Sequence, residues 1–217
     1  MRTDRRAIER RYGFKNPFKP DPFVRKAVRY LPSGGELLDV GCGEGADSAY
    51  FASHGFTVHA IDRNRSFLAR FRRYCKGEKL SAISIERGDA TTYRYPRNAY
   101  DVVSSILAVC CMKRSEAGRV VRALRRAVKP GGIVVVSSRN YLDPEMKECC
   151  GGGTRVEPNT FCNHDCGGKY IYFMEKGRLR KLFEGFKILY YYEGYAGCKY
   201  GEHRRHGDSY IVCKRPT

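Results

Sequence analysis

The segment Leu37-Leu-Asp-Val-Gly-Cys-Gly-Glu-Gly45 gives the strongest indication of the fold. It reads as a short apolar strand, a turn with glycine at every second position, and the start of a helix. Glycine accepts left-handed backbone angles and lets a ligand lie against bare backbone. The first turn of the following helix offers N–H groups that have no partner within the helix. The stretch therefore predicts a strand, turn and helix arranged around a bound ligand.

The sequence around this turn alternates between strand-like and helical segments. Strand-length apolar runs stand at 36–40, 57–62, 82–86, 100–107 and 132–138, and closing strands at 186–192 and 209–214 form a hairpin. The segment 115–128 has apolar residues on one helical face and arginines on the other, and 175–184 is also helical. Strands that alternate with helices predict an α/β fold with a mostly parallel sheet of seven strands, covered by helices on both faces.

We expect one domain over residues 1–217, because no linker divides the chain. Residues 1–35 form basic N-terminal helices, near 3–12 and 21–30, or a lid. Residues 36–138 form the core, and 139–172 are a long Cys- and Gly-rich loop or insert. Residues 173–217 supply the C-terminal helix and the strand hairpin.

Two acidic residues follow later strands. Asp62 ends the second strand, seventeen residues after Gly45, where a carboxylate can hold both hydroxyls of a ribose. Asp89 follows the third strand. A dehydrogenase-type turn expects G-x-G-x-x-G, whereas here Ala46 stands beyond Gly45.

The order of Asp39, the glycine turn, Asp62, Gly88-Asp89 and Lys129-Pro-Gly-Gly132 resembles the class I S-adenosylmethionine (SAM)-dependent methyltransferases over residues 33–138. The resemblance implies a Rossmann-like fold and SAM as cofactor. The implied cofactor-binding residues are Asp39, Gly41, Cys42, Gly43, Gly45, Asp62, Arg63, Asp89, Ala90, Ser104, Ser105 and Ile106. Residues 39–43 would hold the methionine moiety, 62–63 the ribose and 89–90 the adenine, while 104–106 would face the methionine and the methyl sulfonium.

The C-terminal third resembles the tellurite-resistance methyltransferase group. The similarity lies in Phe173–Phe186, Tyr192-Glu193, Gly201-Glu-His-Arg204 and Lys214-Arg215. It implies that the chain transfers a methyl group to a small molecule or to a soft nucleophile of the S, Se or Te type. Positioning supplies most of the catalysis of such a transfer, so the catalytic residues stay unknown, with His203 and His206 as candidates for a base.

Two other functions stay open. The net charge is +18, residues 1–35 carry ten Lys/Arg against three acids, and 113–129 carry seven against one. Such a surface attracts polyanions, which favours an RNA methyltransferase as the alternative. A non-catalytic SAM- or metal-binding module is the second alternative.

The ten cysteines raise the question of a metal. A zinc hypothesis uses Cys149, Cys150, Cys162, His164 and Cys166, since Cys-x₃-Cys with an interposed His can supply ligands to one tetrahedral ion. The vicinal thiols at 110–111 and 149–150 could instead bind metalloid species. Incidental burial of cysteine is the third interpretation.

The sequence predicts a cytoplasmic protein without a membrane partner. No apolar run reaches the roughly 18 residues that a membrane span needs, and the basic N-terminus lacks the apolar core of a signal peptide. The oligomeric state is left open.

Overall fold

The computed structural model describes residues 19–162, 170–197 and 205–217. The helices are α1 (Pro22–Ala27, continued by a 3-10 turn at Val28–Tyr30), α2 (Ala46–Ala52), α3 (Arg65–Gly77), α4 (Arg114–Ala127), α5 (Pro144–Gly152) and α6 (Arg178–Leu182). The strands are β1 (Gly35–Val40), β2 (Phe56–Asp62), β3 (Ile83–Arg87), β4 (Tyr100–Ile106), β5 (Val128–Arg139), β6 (Arg155–Glu157), β7 (Thr160–Cys162), β8 (Tyr170–Tyr172), β9 (Lys187–Gly197) and β10 (Arg205–Lys214).

The main sheet has seven strands in the order β3-β2-β1-β4-β5-β10-β9. Neighbours from β3 through β5 pair in parallel, whereas β10 pairs antiparallel with both β5 and β9. The order reverses between β1 and β4, which in open α/β sheets is where a crevice for ligands forms at the carboxyl ends of the strands. The predicted fold class, a Rossmann-like and mostly parallel seven-stranded sheet, is confirmed.

Helices cover both faces of this sheet, and each face has its own apolar core. On one face, α1, α2 and α3 bury residues such as Phe23, Phe51 and Phe71 against the strands. On the other face, α4 and α6 bury residues such as Leu124 and Leu179. The predicted amphipathic helix is therefore present as α4, with its apolar side against the sheet.

Of the two interpretations of 139–172, a long loop or an insert, the structure contradicts the long loop, and the insert stays a prediction. β5 continues to Arg139, α5 follows, and β6, β7 and β8 form a separate antiparallel sheet in the order β6-β7-β8. Phe161 and Phe173 pack in a small core of their own beneath α5. The expectation was wrong because a three-residue strand is too short to show an apolar period, and a local aromatic core supplies the stability instead.

The other predicted elements agree in kind and differ in their ends. The two closing strands are longer than predicted, since β9 continues to Gly197 and β10 begins at Arg205. The helix predicted near 3–12 lies outside the described residues. Within the described residues, no helix is long and apolar enough to cross a membrane. The single-domain organisation and the cytoplasmic location stay predictions.

Candidate functional site

The glycine turn after β1 is packed against other side chains at Gly41 and Gly45 and is open at Gly43. All three glycines have positive φ: +76° at Gly41, +56° at Gly43 and +84° at Gly45. A Cβ at Gly41 would lie 2.3 Å from the Ala108 methyl, and one at Gly45 would lie 2.1 Å from the Phe71 ring. A Cβ at Gly43 would meet no atom within 4 Å. The open side of the turn is therefore at Gly43, where a ligand can lie against bare backbone.

Asp62 holds this turn from the end of β2. Its Oδ2 accepts from the Gly43 N–H at 3.0 Å, and its Oδ1 accepts from the Asn64 N–H at 2.7 Å. A carboxylate has about four acceptor positions, so each oxygen can still accept from a ligand hydroxyl. The two backbone bonds fix the orientation of a carboxylate that remains half-buried beside the open side of the turn.

Asp89 extends the row of carboxylates to the end of β3. Thr91 donates to its Oδ1 from the backbone at 2.9 Å and from the hydroxyl at 2.7 Å, and Arg63 Nη1 lies 3.8 Å from Oδ2. Burial disfavours the charged form of Asp89, but the Thr91 hydrogen bonds and the Arg63 charge outweigh it, so the pKa is lowered. Beside it, the Ala90 carbonyl accepts from the Tyr95 hydroxyl at 2.9 Å. Asp89 is therefore an ionised acceptor in line with Asp62.

Asp39 and Ser104 lie in the sheet beneath the turn. Both are almost fully buried, and they are register partners on β1 and β4. Ser48 of α2 donates to Asp39 Oδ2 at 2.6 Å. The Ser104 hydroxyl is buried and finds no hydrogen-bond partner among the described residues. An unpartnered buried hydroxyl is costly, and one next to the glycine turn fits a site that receives a polar ligand.

Three other predicted residues serve the framework. The Ser105 hydroxyl donates to the Val40 carbonyl at 3.2 Å and ties β4 to β1, while Ile106 belongs to the core. Burial, and then the charges of Asp39 and Asp62, raise the pKa of Cys42 well above its usual value. The raised pKa favours the thiol form of Cys42, which is a weaker nucleophile than the thiolate.

A strained corner, which the sequence did not predict, follows β4. Leu107 has a φ of +53°, and its N–H donates to the Ser137 hydroxyl at 3.0 Å. The thiols of Cys110 and Cys111 both donate to the Leu107 carbonyl, at 3.2 and 3.3 Å. The chain turns sharply here and brings Ala108 against Gly41. The sequence gives no signal for this corner. A positive φ is usually indicated by glycine or asparagine, and leucine rarely adopts it.

A buried polar cluster joins β5, α5 and β10. Arg139 Nη1 lies 2.7 Å from Asp208 Oδ1, and its Nε lies 3.6 Å from Asp143 Oδ2. Burial opposes the charge of Arg139, but the negative groups around it raise its pKa overall. His206 Nδ1 lies 3.1 Å from Asp143 Oδ2, so a buried carboxylate orients this imidazole. Of the two predicted base candidates, the structure places His206 in this cluster, and His203 lies outside the described residues.

The structure gives the zinc hypothesis no support. In residues 19–162, 170–197 and 205–217, no three Cys, His, Asp or Glu side chains form a group that could hold a metal ion. Cys149 and Cys150 lie on α5 and Cys162 on β7. His164 and Cys166 fall outside the described residues. Spacing alone suggested a cluster that the described cysteines do not form.

Comparison with known sequences gives matches to methyltransferases. The family described as "Methyltransferase domain" matches residues 37–132. A 2-methyl-6-phytyl-1,4-hydroquinone methyltransferase of Synechocystis is 33% identical over 114 residues, which cover 52% of this chain and 35% of that protein. A ubiquinone biosynthesis O-methyltransferase of Pseudomonas aeruginosa is 32% identical over 115 residues, which cover 50% of this chain and 46% of that protein. The chain thus aligns with less than half the length of these two relatives.

Solved structures share the fold over nearly the whole chain. TehB of Haemophilus influenzae matches with a TM-score of 0.72 and 16% identity, covering 97% of this chain and 66% of that one. A SAM-dependent methyltransferase of Methanosarcina mazei matches with a TM-score of 0.73 and 17% identity, covering 92% and 99%. At these identities the likeness establishes the fold.

Proposed function

We propose a methyl-transfer activity for this chain, on the premise that it belongs to the class I SAM-dependent methyltransferases. The proposed reaction moves a methyl group to a small molecule, and the proposed nucleophile is soft, of the S, Se or Te type. When bound, SAM supplies an electrophilic methyl group on a sulfonium centre. The chain itself binds, orients and shields the reactants.

The observation that carries the proposal is the row formed by Gly43, Asp62 and Asp89, which is called the carboxylate row here. The open side of the turn, the oriented carboxylate of Asp62 and the ionised Asp89 stand in sequence along the carboxyl ends of β1, β2 and β3. This row matches a ligand with a small polar end, a diol and a base with an exocyclic amine. The residues therefore fit SAM, with the methionine moiety at Gly43, the ribose at Asp62 and the adenine at Asp89.

The small-molecule acceptor is supported by what the relatives act on. The curated relatives include enzymes named for a hydroquinone, for phosphoethanolamine and for ubiquinone biosynthesis. The proposal of a soft nucleophile rests on the resemblance to the tellurite-resistance group. The Asp143–His206 pair could accept a proton from an acceptor that must lose one, because the carboxylate fixes which ring nitrogen stays free to do so.

Titration calorimetry with SAM tests the cofactor half of the proposal. We expect Asp62→Ala to weaken SAM binding by at least about tenfold, since a charge-assisted hydrogen bond contributes on the order of 1.5–3 kcal/mol. Asp101→Asn is the matched control, because Asp101 pairs with Lys129 at the amino end of β4, whereas Asp62 lies at the carboxyl end of β2. Equal SAM affinity for wild type and Asp62→Ala would contradict the assignment of the ribose to Asp62.

Methyl-labelled SAM incubated with a cell extract tests the acceptor half. The extract is then separated into RNA, protein and small-molecule fractions. We expect the label in the small-molecule fraction. Label in RNA alone would replace this proposal with the RNA methyltransferase alternative, and SAM binding without label in any fraction would favour the non-catalytic module.

A further inference from the structure

An aromatic pocket lies between α1 and the β9–β10 hairpin, apart from the carboxylate row. Its volume is about 400 Å³. Its walls come from two ends of the chain, because α1 lies near residue 25 and the hairpin beyond residue 186. The lining residues, which together are called the aromatic pocket here, are Pro22, Phe23, Lys26, Tyr190, Tyr192, Tyr195, Ala196 and Tyr210.

The rings of the pocket stand nearly parallel to each other. Phe23 and Tyr210 stack with centroids 4.5 Å apart and planes 7° apart, and Tyr192 stacks on Tyr210 at 5.7 Å and 24°. The hydroxyls of both tyrosines already donate, Tyr210 to Asp208 at 2.9 Å and Tyr192 to the Tyr195 carbonyl at 2.6 Å. Aromatic side chains therefore dominate the lining of the pocket, and such a lining favours a flat aromatic group.

One positive charge stands at the pocket. Lys26 Nζ lies 2.9 Å from the Tyr190 hydroxyl and 4.3 Å from the centroid of its ring. Lys26 is exposed, and in the part of the chain that the structure describes it makes no ion pair with a carboxylate. An ammonium held on a tyrosine ring can pair with an anion that enters the aromatic pocket.

The pocket has one end at Lys26 and another toward the carboxyl ends of the parallel strands. Tyr192 pairs with Tyr210 and Tyr190 pairs with Val212, so Lys26 and Tyr190 mark the end of the pocket that is farther from the Gly197–Arg205 pair. Asp21, two residues before Phe23, donates from its N–H to Asp47 Oδ1 at 2.7 Å, and Asp47 stands two residues after Gly45. The start of α1 thus lies against the helix that follows the glycine turn.

We infer that the aromatic pocket binds an aromatic acid, with its ring against the tyrosine rings that line the pocket and its carboxylate on Lys26. The binding of the acid is independent of the proposed function, whereas its methylation rests on it. If the ring carries a thiol, the thiol loses its proton to water or to the Asp143–His206 pair, a bond forms between its sulfur and the methyl carbon, and the bond from that carbon to the sulfonium breaks, releasing S-adenosylhomocysteine. The acceptor class is therefore an aryl thiol or a similar aromatic nucleophile that carries an acid.

Calorimetric binding of three thiols to the full chain tests the pocket. 4-Mercaptobenzoate has both ring and charge, thiophenol has only the ring, and 3-mercaptopropionate has only the charge. We expect 4-mercaptobenzoate to bind about fivefold tighter than thiophenol, as befits one exposed ion pair. We expect it to bind at least about tenfold tighter than 3-mercaptopropionate, as befits the stacking.

Substitutions assign the contacts. Lys26→Met should reduce 4-mercaptobenzoate binding to the level of thiophenol and leave thiophenol binding unchanged. Lys76→Met, at an exposed lysine of α3, is the matched control and should change neither. Tyr190→Leu should weaken both aromatic ligands, and Tyr190→Phe, which keeps the ring, should restore thiophenol binding.

SAM affinity measured on the same samples separates the two proposals and checks folding. If SAM binds and 4-mercaptobenzoate binds no better than 3-mercaptopropionate, the aromatic pocket is not an acid-binding site, and the proposed function stands. If Lys26→Met and Lys76→Met behave alike, the assignment of the carboxylate to Lys26 is wrong. Binding of 4-mercaptobenzoate by a chain that binds no SAM would uphold the pocket and overturn the proposed function.

Discussion

At the scale of single residues, the glycine turn combines two different requirements. Gly41 and Gly45 are needed because another side chain occupies the space where a Cβ would lie, whereas Gly43 faces open space. Gly41 and Gly45 therefore serve packing, and Gly43 serves the ligand. Substitutions can separate the two roles, since stability and SAM affinity should respond differently.

We expect Gly45→Ala to lower the free energy of unfolding by about 1–3 kcal/mol, because it combines a positive φ with overlap on the Phe71 ring. Gly43→Ala should cost about 1 kcal/mol of stability, but should weaken SAM binding more than Gly45→Ala does. Gly152→Ala, in a helix with open space around it, is the control and should not destabilise. Urea unfolding and calorimetry measure both quantities. A Gly45→Ala protein as stable as the wild type would contradict the packing role.

At the scale of elements, Glu175 connects the small sheet to α4. It accepts from Tyr172 of β8 at 2.6 Å and from Arg114 Nε of α4 at 2.8 Å. Partial burial disfavours its charged form, but the hydrogen bonds from Tyr172 and Arg114 outweigh it and lower the pKa of Glu175. The side chain that joins these two elements therefore holds them best when it is ionised.

The lowered pKa gives stability a definite pH dependence. The contribution of Glu175 is fully present above the unfolded pKa of a glutamate, about 4.3, and is lost as the pH falls through the lower folded value. Urea unfolding between pH 6 and pH 3 should show a smaller loss of stability for Glu175→Gln than for the wild type. Glu184→Gln, at an exposed site, should follow the wild-type curve. Parallel curves for all three proteins would refute the role of the ionised Glu175.

At the scale of the whole molecule, the charge is the dominant feature. The chain has 41 Lys and Arg against 23 Asp and Glu. On one face of the sheet, α3 exposes Arg72, Arg73 and Lys76, and on the other α4 exposes Arg119, Arg122 and Arg126. Because basic residues cover both faces, the charge forms a broad field, which favours non-specific attraction over one defined groove.

Binding to a single-stranded RNA homopolymer should therefore weaken steeply with salt. Replacing Arg119, Arg122 and Arg126 together by Gln should reduce the slope of log affinity against log salt by about 2, since each phosphate contact contributes about 0.7. SAM affinity should stay unchanged, because the outer face of α4 lies away from the carboxylate row. Filter binding across a salt series measures the slope, and salt-insensitive binding would contradict this expectation.

Sequence reasoning predicted the parts of the fold that local pattern controls. The alternation of apolar runs and helices predicted the sheet, and the apolar face of 115–128 predicted α4 almost to its ends. Reasoning from pattern failed over 139–172, where the strands are too short to show a period. The cysteine spacing there suggested a metal site, but spacing does not say which side chains meet.

Local pattern was enough to predict the strand, turn and helix at 37–52, because glycines at alternate positions after an apolar run indicate a turn with positive φ angles. Three contacts could be seen only in the folded chain: Asp62 accepts from the Gly43 N–H, Asp143 orients His206, and Phe23 stacks on Tyr210. Those contacts join residues 19, 63 and 187 positions apart in the chain. A residue pattern reports which face of an element is apolar, whereas the partner of that face is chosen by the packing of the whole sheet.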